Sequence, residues 1–314
     1  MARAARELQG SSARSIKSVE WSLSDGLIYF QGKIYVLDAF NLCRWIIALS
    51  HDSRLAGHSR RWKTLELVSR NYWWPQMSRY IGRYVSTCDM CLWTKSFPRT
   101  LTRELHPLPI PSAPWDTISV DFIIELPQSA GHDSIMFVVD SITKCTHLIS
   151  TVTTISAAGA AHLFLNHVWK HHGLPQQVVS NRGPQFVAEF IQELYRLLGI
   201  KLAATTAYHP QGDGQMEGVN QELEQCLQLF TNQRQDDWVG LLPFAEFPYN
   251  NQVHSSTQHP PFLLDTGRVP QMGFEPDQPC SHVEPVNEFR DRMKDTLEEA
   301  KAALAKSKDD MTLY

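Results

Sequence analysis

Pro98, Pro107, Pro109, Pro111 and Pro114 crowd one short stretch of the chain. Proline fixes φ and lacks the N–H that a helix or an inner strand needs, so no regular element crosses this stretch. Residues 96–111 therefore read as a linker, with a separate folding unit on either side. A chain of 314 residues is long enough for two such units and a terminal segment.

The two sides differ in charge. Residues 51–110 hold ten Lys/Arg against four Asp/Glu, whereas residues 111–314 hold thirteen against twenty-five. A polyanion is drawn to the first region and repelled by much of the second, a contrast hidden by the net charge of −4. No stretch approaches the roughly 20 apolar residues of a membrane helix, so no membrane association is expected. Arg3, Arg6, Arg14 and Lys17 among Ala and Ser imitate a transit peptide. Glu7 and the lack of an amphipathic stripe argue against one, and residues 1–18 are expected to be a disordered tail. Of six cysteines only Cys88 and Cys91 are close in sequence. That is no disulfide scaffold and fits a reducing compartment.

Before the linker, Leu27–Phe30 and Lys33–Val36 flank a Gln31-Gly32 turn, the pattern of a small hairpin within an extension over 19–42. Three helices are expected over 43–95: an apolar one at 43–50 running into His51, one at 61–69, and one carrying Met77, Tyr80, Ile81, Tyr84 and Val85 at spacings of three and four. After the linker, strands are expected at 118–124, 134–140, 147–153, 178–180 and 202–206, with helices at 157–171, 186–198 and 216–230. Strands first and then alternating helices and strands predict an α/β unit over 112–270, a mixed sheet with helices on both faces. Residues 271–314 read as a linker and an amphipathic helix at 286–308, striped by Val286, Phe289, Met293, Leu297 and Leu304.

His51 and His58 are seven positions apart, and Cys88 and Cys91 follow across two expected helices. Two imidazoles and two thiolates meet the demand of Zn²⁺ for four tetrahedral N/S ligands, and the helices between the pairs can fold back to join them. Reduced cysteines and surface histidines are the plainer alternative. In the second unit Asp121 lies mid-strand among Ile118, Val120, Phe122 and Ile123. A charge there is costly unless it opens on a site or meets a metal. Glu217 begins the expected 216–230 helix. Carboxylates so placed can hold the paired Mg²⁺ ions of phosphoryl transfer. Asp140, ending a strand, is read as structural.

Several stretches carry a resemblance. His51-x6-His58 through Cys88-x2-Cys91, Asn71-Tyr72-Trp73-Trp74-Pro75, Ser180–Phe186, Thr206–Gln211 and Gly214–Glu217 resemble, in order, the integrases of Ty3/gypsy-type LTR retrotransposons. The resemblance spans residues 25–300 or so. It implies an RNase H-like catalytic core behind an HHCC zinc module, and DNA strand transfer with Mg²⁺ or Mn²⁺ joining element ends to target DNA. It further implies contact with RNA, a homo-oligomer, and action in the nucleus. It also implies an Asp, Asp, Glu triad with thirty-five residues between the last two. Asp121 matches the first position and Glu217 the third; counting back from Glu217 reaches Asn181. An amide there binds a metal weakly if at all. Losing one charge about 4 Å from another is worth about 4 kcal/mol at an effective dielectric of 20, on the order of a thousandfold in rate. The family's contacts to DNA fall on Tyr208, Gln211 and Gln215, and Asn220 shares the helix face of Glu217.

Other departures point to a degenerate, C-terminally shortened copy. Gly218 replaces the family's arginine, and the basic C-terminal module does not appear before Tyr314. Pro248 is expected to interrupt a helix, at about 3 kcal/mol. The sequence thus leaves three functions open: an impaired integrase, an active strand transferase, and a non-catalytic nucleic-acid-binding or oligomerisation module.

Overall fold

The structure, a computed structural model, describes residues 21–24, 26–37, 39, 41–94, 110–180, 184–199, 236–276 and 295–306. In the first unit β1 (Trp21–Ser24), β2 (Leu27–Phe30) and β3 (Lys33–Tyr35) form an antiparallel meander. Gln31 and Gly32 both have positive φ, 51° and 76°, the backbone a two-residue hairpin requires for its strands to twist together. The expected hairpin is present, but it does not stand alone. Past α1 (Leu42–His51) and α2 (Arg61–Ser69) comes β4 (Tyr72–Trp73), which pairs in parallel with β3, Ile34 opposite Tyr72 and Tyr35 opposite Trp73. Trp73 thereby joins Trp21, Phe30 and Tyr35 in one aromatic cluster, with ring centroids 4.1 Å apart for Phe30 and Trp73. Val36, Cys43, Ile47, Val68, Trp74 and Ile81 build a small core beneath the helices, completed by α3 (Met77–Ser86). The helix α4 (Asp89–Thr94) follows.

The second unit is built on β5 (Thr117–Ile123), β6 (Ser134–Asp140), β7 (Thr146–Thr151) and β8 (Gln177–Val179), in the order β7-β6-β5-β8. β5, β6 and β7 are antiparallel neighbours; β8 returns parallel to β5 through a helical crossover. β6 is buried along its whole length because both faces are covered. Ile118, Val120 and Phe122 pack with Ala160, Phe164, Phe190 and Leu194 of α5 (Ala157–His172) and α6 (Pro184–Leu197). Ile123, Ile135, Phe137 and Val139 pack on the other side against Trp238, Leu241, Leu242 and Tyr249 of α7 (Trp238–Asn251). This is the mixed α/β sheet with helices on both faces that the sequence predicts. The expected strand at 202–206 and helix at 216–230 lie outside the described residues, as does most of the linker.

Two elements differ from expectation. Within α5, Leu165–Trp169 form a π-helical turn, a widening that hydrophobic periodicity does not register. Pro248 does not interrupt α7, which runs to Asn251 through both Pro243 and Pro248. Pro248 lies one turn from the helix end, so its missing N–H releases a single carbonyl, and its own carbonyl still accepts from the Gln252 N–H at 3.1 Å. Burial of Trp238, Leu241, Leu242 and Ala245 on the sheet, each worth about 1.5–3 kcal/mol for the larger side chains, outweighs that loss. Beyond α8 (Pro261–Thr266), residues 295–306 are helical, with Ala300 and Leu304 buried. Val286, Phe289 and Met293 lie outside the described residues.

Candidate metal centre and the carboxylate strand

His51 is the last residue of α1 and is fully buried. The chain then turns through Gly57 and His58, both at positive φ (61° and 45°), and the His58 N–H donates to the His51 carbonyl at 3.0 Å. A loop tied to its own start places the second imidazole beside the first, with ring centroids 5.0 Å apart. α3 leads back to Cys88, and Cys91 lies in the next turn on α4. The Cys88 Sγ is 3.4 Å from His58 Nδ1, and the Cys91 Sγ is 3.4 Å from His51 Nε2. One donor atom from each of the four residues lies within 4.8 Å of every other.

This donor set fits zinc. Tetrahedral bonds of about 2.0 Å to nitrogen and 2.3 Å to sulfur put N and S ligands about 3.6 Å apart, close to the separations found. The surroundings orient the ligands. His51 Nδ1 is 3.2 Å from Thr64 Oγ1, which donates to the Ser59 carbonyl at 3.1 Å and accepts from Ser59 Oγ at 3.0 Å. Thr64 therefore receives the Nδ1 proton, leaving the Nε2 lone pair for the metal. Tyr84 Oη donates to Asp52 Oδ2 at 2.5 Å, while Asp52 Oδ1 lies 4.0 Å from His58 Nδ1. Burial, followed by that bond, pushes the Tyr84 hydroxyl above the ordinary tyrosine range. Thr64 and Tyr84 carry no spacing motif, so sequence reasoning passed over both roles.

Residues 41–96 match the integrase zinc-binding domain family. Over 243 residues, 77% of this chain, the sequence is also 29% identical to the transposon Tf2-3 polyprotein of Schizosaccharomyces pombe. The zinc-binding segment is thus similar to an integrase family, and the wider chain to part of a retrotransposon polyprotein. The Tf2-4 polyprotein of the same yeast matches equally, and the chain spans 18% of the length of each polyprotein. Among solved structures, the HTLV-2 integrase catalytic core domain in complex with magnesium aligns at 15% identity. That alignment covers 49% of this chain and 98% of that one, with a TM-score of 0.38. The simian T-cell lymphotropic virus intasome in complex with PP2A regulatory subunit B56 gamma aligns at 15% identity, over 67% and 69%, with a TM-score of 0.41.

In the second unit Asp121 sits in the middle of β5, opposite Phe137 of β6. It is 8% exposed, and its Oδ1 accepts the Phe122 N–H at 2.9 Å. Strand alternation puts it on the face of Ser119 and Ile123, away from Val120 and Phe122. Phe122 in turn meets Phe186 of α6 edge-on, with centroids 5.8 Å apart, which anchors the start of α6 beside the strand. Asn181, Tyr208, Gln211, Gln215, Glu217 and Asn220 lie outside the described residues. Asp140 is fully buried: Oδ1 accepts from the Trp115 N–H, and Oδ2 from the Thr143 N–H and hydroxyl. It closes the β6–β7 turn.

The second unit also carries a histidine network that the sequence did not announce. His147 Nε2 lies 2.9 Å from His172 Nε2, His147 Nδ1 lies 3.3 Å from Glu246 Oε1, and Trp115 stacks on His172 at 3.6 Å. One proton assignment bonds each close pair: His172 Nε2–H donates to His147, and His147 Nδ1–H donates to Glu246. Burial keeps His172 neutral near pH 7, so its 3.7 Å approach to Asp265 is no ion pair; Asp265 accepts from Trp115 Nε1 at 2.6 Å. Burial, then the neighbouring His147 and His171, lower the His172 pKa from 6.5 to about 3. A base lowered on folding contributes stability that is complete above its unfolded value and lost as pH falls toward the folded one. The core is therefore expected to lose stability progressively from about pH 6.5 toward pH 3. Urea titrations at several pH values should show this slope reduced in His172→Gln; an equal slope in both proteins refutes the assignment.

Proposed function

We propose that this chain is an integrase of the DNA-integration class, a metal-dependent polynucleotidyl transferase whose chemistry is impaired at Asn181. The observation that supports it is the β5–β8 register. Thr117 faces Gln177, Ile118 faces Val178 and Ser119 faces Val179. Asp121 lies two residues beyond Ser119 on β5, and Asn181 follows Val179 by two in the sequence. In this reading Asp121 and Glu217 ligate Mg²⁺ or Mn²⁺, and Asn181 supplies a neutral oxygen where a third carboxylate belongs. Paired ions held there would supply charge to polarise the attacked phosphate and stabilise the leaving oxygen, and with one anion fewer these residues would hold them weakly. Tyr208, Gln211, Gln215 and Asn220 are assigned to DNA contacts. The zinc module (43–95) and core (112–270) act as parts of a nuclear homo-oligomer on element ends and target DNA, with RNA as a further ligand.

The test is strand transfer or its reversal on oligonucleotides with Mn²⁺, comparing the natural chain with Asn181→Asp. Restoring the anion is expected to raise the rate at least about a hundredfold, the equivalent of about 2.7 kcal/mol in the barrier. Equal rates overturn the assignment of the defect. Steeply salt-dependent DNA binding without transfer in either protein favours the binding-only function instead.

A further inference from the structure

The loop between the two zinc-site histidines does more than close the metal site: its far side touches the core. The Ala56 carbonyl, on a fully buried residue, accepts a hydrogen bond from Gln252 Nε2 at 2.7 Å. Ala56 and Leu67 of the first unit share an apolar cluster with Met272, bordered by Leu55, Phe247 and Phe274. Arg54 lies over the Phe244 ring at 5.6 Å. Arg70, held by Glu66 through bonds of 2.7 and 2.9 Å, donates to the Asn251 carbonyl at 2.7 Å. Both units thus meet along the last turns of α7. Asn250, also there, bonds the Thr146 backbone at the start of β7, through Thr146 N–H to Oδ1 at 2.9 Å and Nδ2 to the Thr146 carbonyl at 2.8 Å. The seam therefore reaches the sheet.

The seam is also not fully satisfied. Asn251 is completely buried, yet neither Nδ2 nor Oδ1 has a partner among the described residues. An unpaired buried amide costs on the order of 1–3 kcal/mol, recovered as soon as it meets water. Docking is thus a balance between a small apolar contact with a few hydrogen bonds and one buried group that gains by separation.

We propose that the His51–His58 loop is a zinc-dependent latch: metal bound by its two histidines holds Leu55 and Ala56 in the shape that docks on Phe247–Gln252, so zinc occupancy and docking of the core stabilise one another. The chain of cause is short. His51 and His58 flank the docking residues, and the loop's internal bonds run from Ala56 and Gly57 N–H to the Ser53 carbonyl and from His58 N–H to His51. Freeing either histidine releases the frame that presents Ala56. Coupling of this kind is reciprocal: whatever factor zinc adds to docking, docking adds to zinc affinity.

The experiment uses the full chain and needs no catalysis. Hydrogen exchange is followed at 244–252 and 146–151 with zinc bound and after chelation, and zinc affinity is measured by competition with a chromophoric chelator. Expected are exchange at 249–252 rising about tenfold on chelation, and zinc affinity falling about tenfold in Gln252→Ala and in Arg70→Gln. Both substitutions lie outside the metal site, and far-UV CD of the zinc-loaded variants reports that they fold. Wild-type zinc affinity in both folded variants, or unchanged exchange at 249–252 on chelation, overturns the latch. Neither result bears on Asn181, so the latch and the proposed chemistry fail separately.

Discussion

Chelating the metal from the full chain is expected to melt the helices between Asn41 and Thr94 while the β5–β8 sheet stays folded. The helices rest on a small buried cluster, Val36, Cys43, Ile47, Val68, Trp74 and Ile81, beside the aromatic strands and the seam with the core. A core of that size does not offset the backbone and side-chain entropy of ordering so many residues. Zinc held by two thiolates and two imidazoles supplies on the order of 10 kcal/mol in small domains. Far-UV CD should therefore lose the signal of α1 to α4, and tryptophan fluorescence should shift as Trp74, 4% exposed, meets water. Cys91→Ser should reproduce the loss without a chelator. Cys43→Ser is the control, because Cys43 is buried in the helical core outside the metal quartet and should weaken packing while zinc stays bound. An unchanged spectrum after complete chelation refutes the metal's structural role.

The core has a comparable keystone in Asp140. Removing its carboxylate as Asp140→Ala leaves the N–H of Trp115 and both donors of Thr143 buried without an acceptor. Bonds to a charged acceptor are worth about 1.5–3 kcal/mol each and are not additive, so the expected loss is about 4–5 kcal/mol. Burial raises the Asp140 pKa while the bonds from Thr143 and Trp115 lower it, with the burial effect larger. Asp140→Asn keeps one accepting oxygen but turns its NH₂ toward either the Trp115 N–H or the Thr143 donors, so it should cost less than Asp140→Ala yet still more than about 1 kcal/mol. Chemical denaturation of the two variants separates the cases. A loss of about 1 kcal/mol or less in Asp140→Ala would mean the turn closes without it.

Much of this molecule was readable from local signals. The metal quartet was legible because His51, His58, Cys88 and Cys91 are close in sequence by pairs and separated by helices that can return. The antiparallel meander of β5, β6 and β7 was legible because its apolar runs and turns are local. What escaped depends on partners far apart in the chain. Strand alternation at Tyr72 and Trp73 cannot say that β3 is their neighbour. Gln252 meets Ala56 across a separation of 196 residues. His147 and His172 belong to no spaced motif, and only packing brings them together. Pro248 misled because propensity was weighed without the burial of α7 on the sheet. Asp121 was flagged by its unusual charge in an apolar strand, and it lies where that reasoning put it; Asn181 and Glu217 lie outside the described residues.

The parallel pairing of β3 with β4 bears on how the protein can be dissected. A fragment trimmed to residues 41–96, the span that the family match suggests, would keep Tyr72 and Trp73 but discard every strand they pair with. Their backbone would become an open edge with a naked indole above it, the kind of surface on which chains stick to one another. Solubility of the isolated module therefore depends on residues that bind no metal and precede the first histidine by sixteen positions or more.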